Sequence, residues 1–125
     1  MKRNKVKLLS YSEVEFYIDE QNKDEILNFL KEKGKKKLQN ILLRIKEKTA
    51  VKDVYSSENY NNGIENVTAI KFKGKRFDNA RIYCQDYYEN NLRIIVLSGL
   101  LASKKQNQLT HKERNLIKKV NDYDY

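Results

Sequence analysis

The sequence predicts one α+β domain over residues 1–125, in which a strand and two helices precede a three-stranded antiparallel meander and a C-terminal helix. Three observations predict it. The run "EVEFYID" at residues 13–19 alternates apolar and polar side chains, as a half-buried strand does. Helical periodicity follows that run, and three β-prone runs, "VTAIKFK", "ARIYCQ" and "LRIIVLSG", come close together in the second half. With 125 residues the chain has room for one core and no second domain.

The first half of the chain reads as a strand followed by a helical hairpin. The segment "NKDEILNFLKEKG" predicts a helix that starts at a capping box of Asn22 and Glu25 and stops at Gly34. A second amphipathic helix, "KKKLQNILLRIKEKTA", restarts at once, so the two helices should pack antiparallel across the glycine. The predicted core positions of the strand and the two helices are Val14, Phe16, Ile18, Ile26, Leu27, Phe29, Leu30, Leu38, Ile41, Leu42 and Ile45.

The second half reads as a loop, a meander and a helix. Residues 51–66 show no sustained period and are rich in Asn, Ser and Gly, which predicts a long loop. The last β-prone run is apolar almost throughout, as a central strand covered on both faces would be. A final helix begins at a capping box of Thr110 and Glu113, and residues 121–125 read as a frayed tail. The predicted core positions of this helix are Leu116, Ile117 and Val120.

Charge and composition restrict the class of partner. The chain carries 26 Lys and Arg against 17 Asp and Glu, a formal net charge of +9, which favours a polyanion or an acidic protein as partner. The single cysteine, Cys84, allows no intrachain disulfide and no cysteine set for zinc, and it reads as a small core residue. We expect no cofactor. No apolar run approaches the ~20 residues of a membrane span and the N-terminus lacks a signal-peptide core, so we expect a cytoplasmic protein with no membrane partner.

Alternation along the predicted meander places basic side chains on one exposed face. If Ile70 and Phe72 face the core, Lys71 and Lys73 face away from it, and by the same rule Arg81 and Tyr83 point outward on the next strand. Paired as a hairpin, these two strands would bring the four side chains together, and Lys75 with Arg76 would lie at the tip. The alternative for Arg81 is a structural ion pair with Asp78 or Asp86.

Residues 67–120 contain an ordered set of motifs: a basic strand "AIKFK", a strand "RIYC", an apolar strand "IIVLSG" that ends in Gly, a Lys-Lys pair followed by Gln in "SKKQ", and a capped helix "THKE". This ordered set resembles the RelE/ParE superfamily of bacterial toxins, and most of all its HigB-like, phage-derived branch. The resemblance implies a RelE-like fold over the chain. It also implies the toxin of a type II toxin–antitoxin system that acts in the cytoplasm as an mRNA interferase.

Nuclease members of this superfamily cleave mRNA on the ribosome without a metal, by attack of the 2′-hydroxyl on the adjacent phosphate, and a cognate antitoxin, here expected to be of the helix-turn-helix type, neutralises them. The resemblance assigns Lys71 to phosphate binding or to the base, Arg81 to the scissile phosphate, and Lys104 and Lys105 to charge stabilisation or proton donation. The RNA-binding candidates are Lys73, Lys75, Arg76, Tyr83 and His111, the last being the sole imidazole.

Two alternatives of other classes stay open. The ParE branch shares the fold and inhibits DNA gyrase without nuclease activity, so the fold cannot settle the function. A non-catalytic phage accessory protein that binds nucleic acid would use the same basic face, with a steep salt dependence.

Overall fold

The structure, a computed structural model, describes residues 2–49, 51–58, 63–104 and 110–125. Within these residues lie six strands: β1 Lys5–Ser10, β2 Val14–Asp19, β3 Tyr55–Ser57, β4 Val67–Lys71, β5 Arg81–Glu89 and β6 Leu92–Leu101. They form one sheet in the order β1-β2-β6-β5-β4-β3. Strands β2 and β6 run parallel, and all the other neighbouring pairs are antiparallel.

Helices cover both faces of this sheet. The helices are α1 Lys23–Phe29, α2 Lys35–Lys46 and α3 His111–Asp122, with a π-helical turn at Leu30–Gly34 and a 3₁₀ turn at Lys75–Phe77. The α+β class and the meander β4-β5-β6 are therefore confirmed, and β6 is the buried strand that its apolar sequence predicts. No helix in the described part of the chain is long and apolar enough to cross a lipid bilayer.

The larger core lies between the sheet and the α1–α2 segment. Alternate residues of β2 and β6, such as Phe16, Ile18 and Ile95, are fully buried against Ile26 and Ile41 of the helices. The prediction that Leu27 of α1 is a core residue is wrong, because Leu27 is 38% exposed. The smaller core lies on the opposite face, where Ile117 and Val120 of α3 pack on β4 and β5; Leu116 there is half-buried.

The helical segment α1–α2 differs from its prediction at the start of α1. Asn22 makes no side-chain cap; its amide instead donates to the carbonyl oxygen of Ser98 at 2.7 Å, so the predicted capping box with Glu25 is wrong. The predicted boundary at Gly34 is confirmed: the π turn ends there, the Gly34 backbone (φ −112°, ψ 1°) lies outside the α-helical region, and α2 begins at the next residue. A Cβ at Gly34 would lie 3.1 Å from the ring of Phe72, so the glycine also permits the close approach of that ring.

Two strands and the C-terminal tail were not expected. The lead-in before residue 13 forms β1, and the predicted loop at 51–66 contains β3. The tail is not frayed, since α3 runs to Asp122 and the Tyr125 hydroxyl donates to Asp19 at 2.8 Å. Asp19 is fully buried and also accepts two bonds from Arg3, whose guanidinium stacks 3.7 Å from the ring centre of Tyr123. Both ends of the described chain are thus fastened to β2.

Candidate functional site

The candidate site lies on the α3 face of the sheet, where β4 ends and β5 begins. Lys71 and Arg81 are directly opposite in the antiparallel register, so their side chains stand next to each other on one face. Ile70 and Ile82 point to the other face, into the larger core. The predicted hairpin of β4 and β5, with Lys71 and Arg81 on one face, is therefore confirmed.

Tyr83 belongs to the same face but is not exposed, contrary to the prediction. Helix α3 covers this part of the sheet, and the Tyr83 ring is fully buried with Ile117 and Val120. Its hydroxyl has no hydrogen-bond partner among the described residues. Burial raises the pKa of Tyr83, and the carboxylates of Glu58 and Glu113 add to that rise. The nearby Arg81 guanidinium opposes it without a hydrogen bond of good geometry. In this conformation no nucleobase can stack on the ring.

Two carboxylates that the sequence did not predict as site residues lie next to Arg81 and Lys104. Glu58 accepts from Arg81 at 2.8 Å, and Glu113 accepts from Lys104 at 2.7 Å. Arg81 is thus paired with neither Asp78 nor Asp86, which bind Lys33 and Arg93. The Thr110 hydroxyl does cap α3 by accepting from the Glu113 backbone N–H, as expected, while the Glu113 side chain is directed to Lys104.

We call the resulting group the polar cluster; it consists of Lys71, Arg81, Tyr83, Lys104, Glu58 and Glu113. Its ion pairs are largely closed to water, with side-chain exposures of 19% for Arg81, 11% for Glu58, 7% for Lys104 and 3% for Glu113. Such pairs are costly to separate, because each partner left alone is a charge with little hydration. Ligand binding at Arg81 or Lys104 therefore requires an anion that replaces the carboxylate.

Lys71 is the cation of the polar cluster with no ion-pair partner among the described residues. Partial burial lowers the pKa of Lys71, and the positive charges of Arg81, Lys73 and Lys104 lower it further, while Glu58 opposes the shift. A lysine whose pKa is lowered loses its proton more readily, so a larger fraction of it is in the neutral form that can act as a general base. The polar cluster combines this lysine with two further cations and a buried phenol.

The other predicted site residues lie outside the polar cluster. Lys73, Lys75 and Arg76 are exposed in the connection between β4 and β5. His111 is exposed on α3 and lines a separate open groove of about 580 Å³ together with Lys112 and Lys119. Lys105 lies outside the described residues. Nowhere in residues 2–49, 51–58, 63–104 and 110–125 do three His, Cys, Asp or Glu side chains come together as metal ligands would.

Outside the polar cluster, partly buried polar contacts at Asp86 and the buried thiol of Cys84 have structural roles. Asp86 accepts from Arg93 at 2.6 Å and from the Tyr55 hydroxyl at 2.8 Å, which ties β3 to β5 beneath the helices. Burial raises the pKa of the Cys84 thiol well above its ordinary value, which keeps the thiol protonated and unreactive.

Comparison of the chain with protein-family models, with curated proteins and with solved structures finds no match.

Proposed function

We propose that the chain is the toxin of a type II toxin–antitoxin pair and acts as a ribosome-dependent mRNA endoribonuclease. The observation that carries the proposal is Lys71, which has a lowered pKa, next to Arg81 on one face of the sheet. This pair supplies a base and a phosphate-binding guanidinium within reach of each other. The order β2-β6-β5-β4 with its intervening helices supports a RelE-like topology, to which β1 and β3 would be additions.

In the proposed reaction Lys71, in its neutral form, takes the proton of the RNA 2′-hydroxyl. The 2′-oxygen then bonds to phosphorus, the bond from phosphorus to the 5′-oxygen breaks, and a 2′,3′-cyclic phosphate remains. Arg81 exchanges Glu58 for two oxygens of the scissile phosphate. Lys104 exchanges Glu113 for the developing charge and gives a proton to the departing 5′-oxygen. Arginine suits this exchange because its planar guanidinium binds phosphate through two parallel hydrogen bonds.

The proposed partners are mRNA on the ribosome and a cognate antitoxin, expected to be of the helix-turn-helix type. The net charge of +9 supports an association with RNA and with an acidic antitoxin segment. A segment of this kind would neutralise the toxin by occupying the exposed basic residues around the polar cluster.

The test is inducible expression in a bacterium, with mapping of new mRNA 5′ ends soon after induction. Lys71→Gln is the decisive variant, because Lys71 gives up no ion pair and the substitution should leave the fold intact. Lys118→Gln, which removes an exposed lysine from α3, is the matched control for the change in charge. We expect growth arrest and new in-frame cleavages with the wild type and with Lys118→Gln, and neither with Lys71→Gln. Arrest with intact mRNA would refute the nuclease.

A second candidate function is non-catalytic: inhibition of DNA gyrase, or nucleic-acid binding as a phage accessory protein. The observation that favours it is the pairing of both Arg81 and Lys104 with carboxylates in a site closed by α3. In the same experiment a gyrase inhibitor would arrest growth in wild type and in Lys71→Gln alike, with intact mRNA. A binding protein would leave growth unchanged.

A further inference from the structure

Two basic segments of the chain meet at the surface, outside the polar cluster. Residues 31–37, "KEKGKKK", contain five lysines and one glutamate, and residues 72–80, "FKGKRFDNA", contain three basic residues and one aspartate. These two segments together carry a net charge of +6 out of the +9 of the whole chain. We call them the basic cap. The π turn and the start of α2 supply most of its charge.

Packing holds the two segments of the basic cap against each other. The ring of Phe29, two residues before the first segment, meets the ring of Phe72 edge to face at 5.1 Å, and within the second segment the Phe77 ring lies 6.0 Å from that of Phe72. Gly34 permits this contact because any side chain there would meet the Phe72 ring. An ion pair of 3.1 Å between Lys33 and Asp78 joins the two segments at the surface. The lysines are therefore presented on a fixed surface.

The cations of the basic cap are mostly available to a ligand. Lys31, Lys35 and Lys36 are exposed, and none of the ion pairs in the described residues involves them. Repulsion among so many like charges is unfavourable for the isolated protein, and an anionic partner would relieve it. The basic cap also adjoins the polar cluster, because the Lys104 backbone N–H donates to the Asp78 carbonyl oxygen at 2.9 Å.

The side chains of the basic cap distinguish among polyanions. Proteins that hold single-stranded RNA combine cations with exposed aromatic rings on which bases stack. Here Phe29 and Phe72 are buried and Phe77 is half-buried, so the basic cap offers cations without a stacking surface. Exposed lysines along a helix can bind the regularly spaced phosphates of a double helix, which are bound without reading of bases.

We infer that the basic cap is a docking surface for the phosphate backbone of double-helical RNA, separate from the strand that the polar cluster would cleave. The inference extends the proposed function and rests on it only in the choice of RNA as the polyanion. Docking at the cap would hold structured RNA beside the polar cluster and so raise the local concentration of a neighbouring single strand.

The test measures binding of a short blunt RNA duplex to the full chain by fluorescence anisotropy at several salt concentrations. The cap variant combines Lys31→Gln, Lys35→Gln and Lys36→Gln, which keep helix propensity and remove three charges. The matched control combines Lys2→Gln, Lys52→Gln and Lys118→Gln, three exposed lysines elsewhere. Circular dichroism checks that both variants fold.

We expect the cap variant to lower the magnitude of the slope of log affinity against log salt by about 2 to 3, at roughly 0.9 for each phosphate that the protein no longer neutralises. The control should change that slope by less than about 1. Equal reductions of affinity in the two variants would overturn the inference, since binding would then depend on net charge alone. Tighter binding of a single strand than of the duplex would also overturn it, as would equal binding of polyglutamate, which would indicate an acidic protein.

Failure of this inference is distinguishable from failure of the proposed nuclease. Lys71→Gln should abolish mRNA cleavage and leave duplex binding unchanged. If the wild type cleaves no mRNA while the cap variant still binds the duplex more weakly, the docking surface stands without the nuclease. If cleavage depends on Lys71 but the cap and control variants bind the duplex alike, the docking surface is refuted and the nuclease stands.

Discussion

Replacement of Glu113 by Gln should destabilise the fold strongly, although the side chain changes by one atom. The carboxylate accepts from Lys104 at 2.7 Å, and the two side chains are only 3% and 7% exposed. Glutamine leaves the Lys104 ammonium with little water and no counter-charge, a change that costs about 3–5 kcal/mol in buried pairs. The Thr110 cap should survive, because it uses the backbone N–H of Glu113. For a domain of this size we expect the melting temperature to fall by about 10–20 °C.

Urea unfolding followed by circular dichroism measures the loss of unfolding free energy, and two control variants test its cause. Glu13→Gln removes an ion pair with Lys48 in which the side chains are 73% and 77% exposed, so it should leave the unfolding midpoint almost unchanged. The double variant Lys104→Met/Glu113→Leu should recover most of the stability that Glu113→Gln removes, since it takes both charges out of the site. A destabilisation below about 1 kcal/mol in Glu113→Gln would refute the reasoning, because only a hydrated pair is so weak.

Three further predictions test other parts of the structure. The pKa of Asp19 lies below its ordinary value of 3.8. Burial would raise this pKa, but the hydrogen bonds that the carboxylate accepts outweigh the effect of burial. Its charge therefore stabilises the fold above that pH, and the contribution is lost as the pH falls through the lowered pKa, so below about pH 4 the wild type should lose unfolding free energy more steeply than Asp19→Asn. Gly34→Ala places a Cβ 3.0 Å from the Phe29 ring and 3.1 Å from the Phe72 ring, and should cost about 1–3 kcal/mol in urea unfolding. If Lys71 is the base, the cleavage rate of the wild type should rise with pH to a midpoint below the ordinary lysine value of 10.5; a pH-independent rate would contradict that role.

The sequence predicted which side of the sheet each residue faces better than what covers that side. Alternation placed Lys71 and Arg81 together because the period of a strand is a local property. The same rule put Tyr83 beside them correctly, yet its burial depends on α3, which begins 28 positions later in the chain. Exposure is a property of tertiary packing, and no local pattern contains it.

The carboxylates of the polar cluster were missed for a related reason. Glu58 follows β3, a strand of three residues, which is too short to show a period. Glu113 has a valid local interpretation in a capping box, and its pairing with Lys104 depends on how α3 meets the end of β6. Asn22 shows the same limit, since its amide bonds a carbonyl 76 positions away. The sequence indicates such partners only in a general way, because a lysine that becomes buried needs a carboxylate beside it.

The parallel pairing of β2 with β6 has a consequence for folding kinetics. Val14 pairs with Arg93, 79 positions later, so the inner strand of the first half gains its second neighbour only after most of the chain is available. Until then the apolar sides of β2, α1 and α2 have no partner sheet to pack on. Contacts of such long range slow folding, because loop closure precedes the contacts that reward it. We therefore expect substitutions at the β2–β6 seam to slow folding, and substitutions in the edge strand β3 to speed unfolding instead.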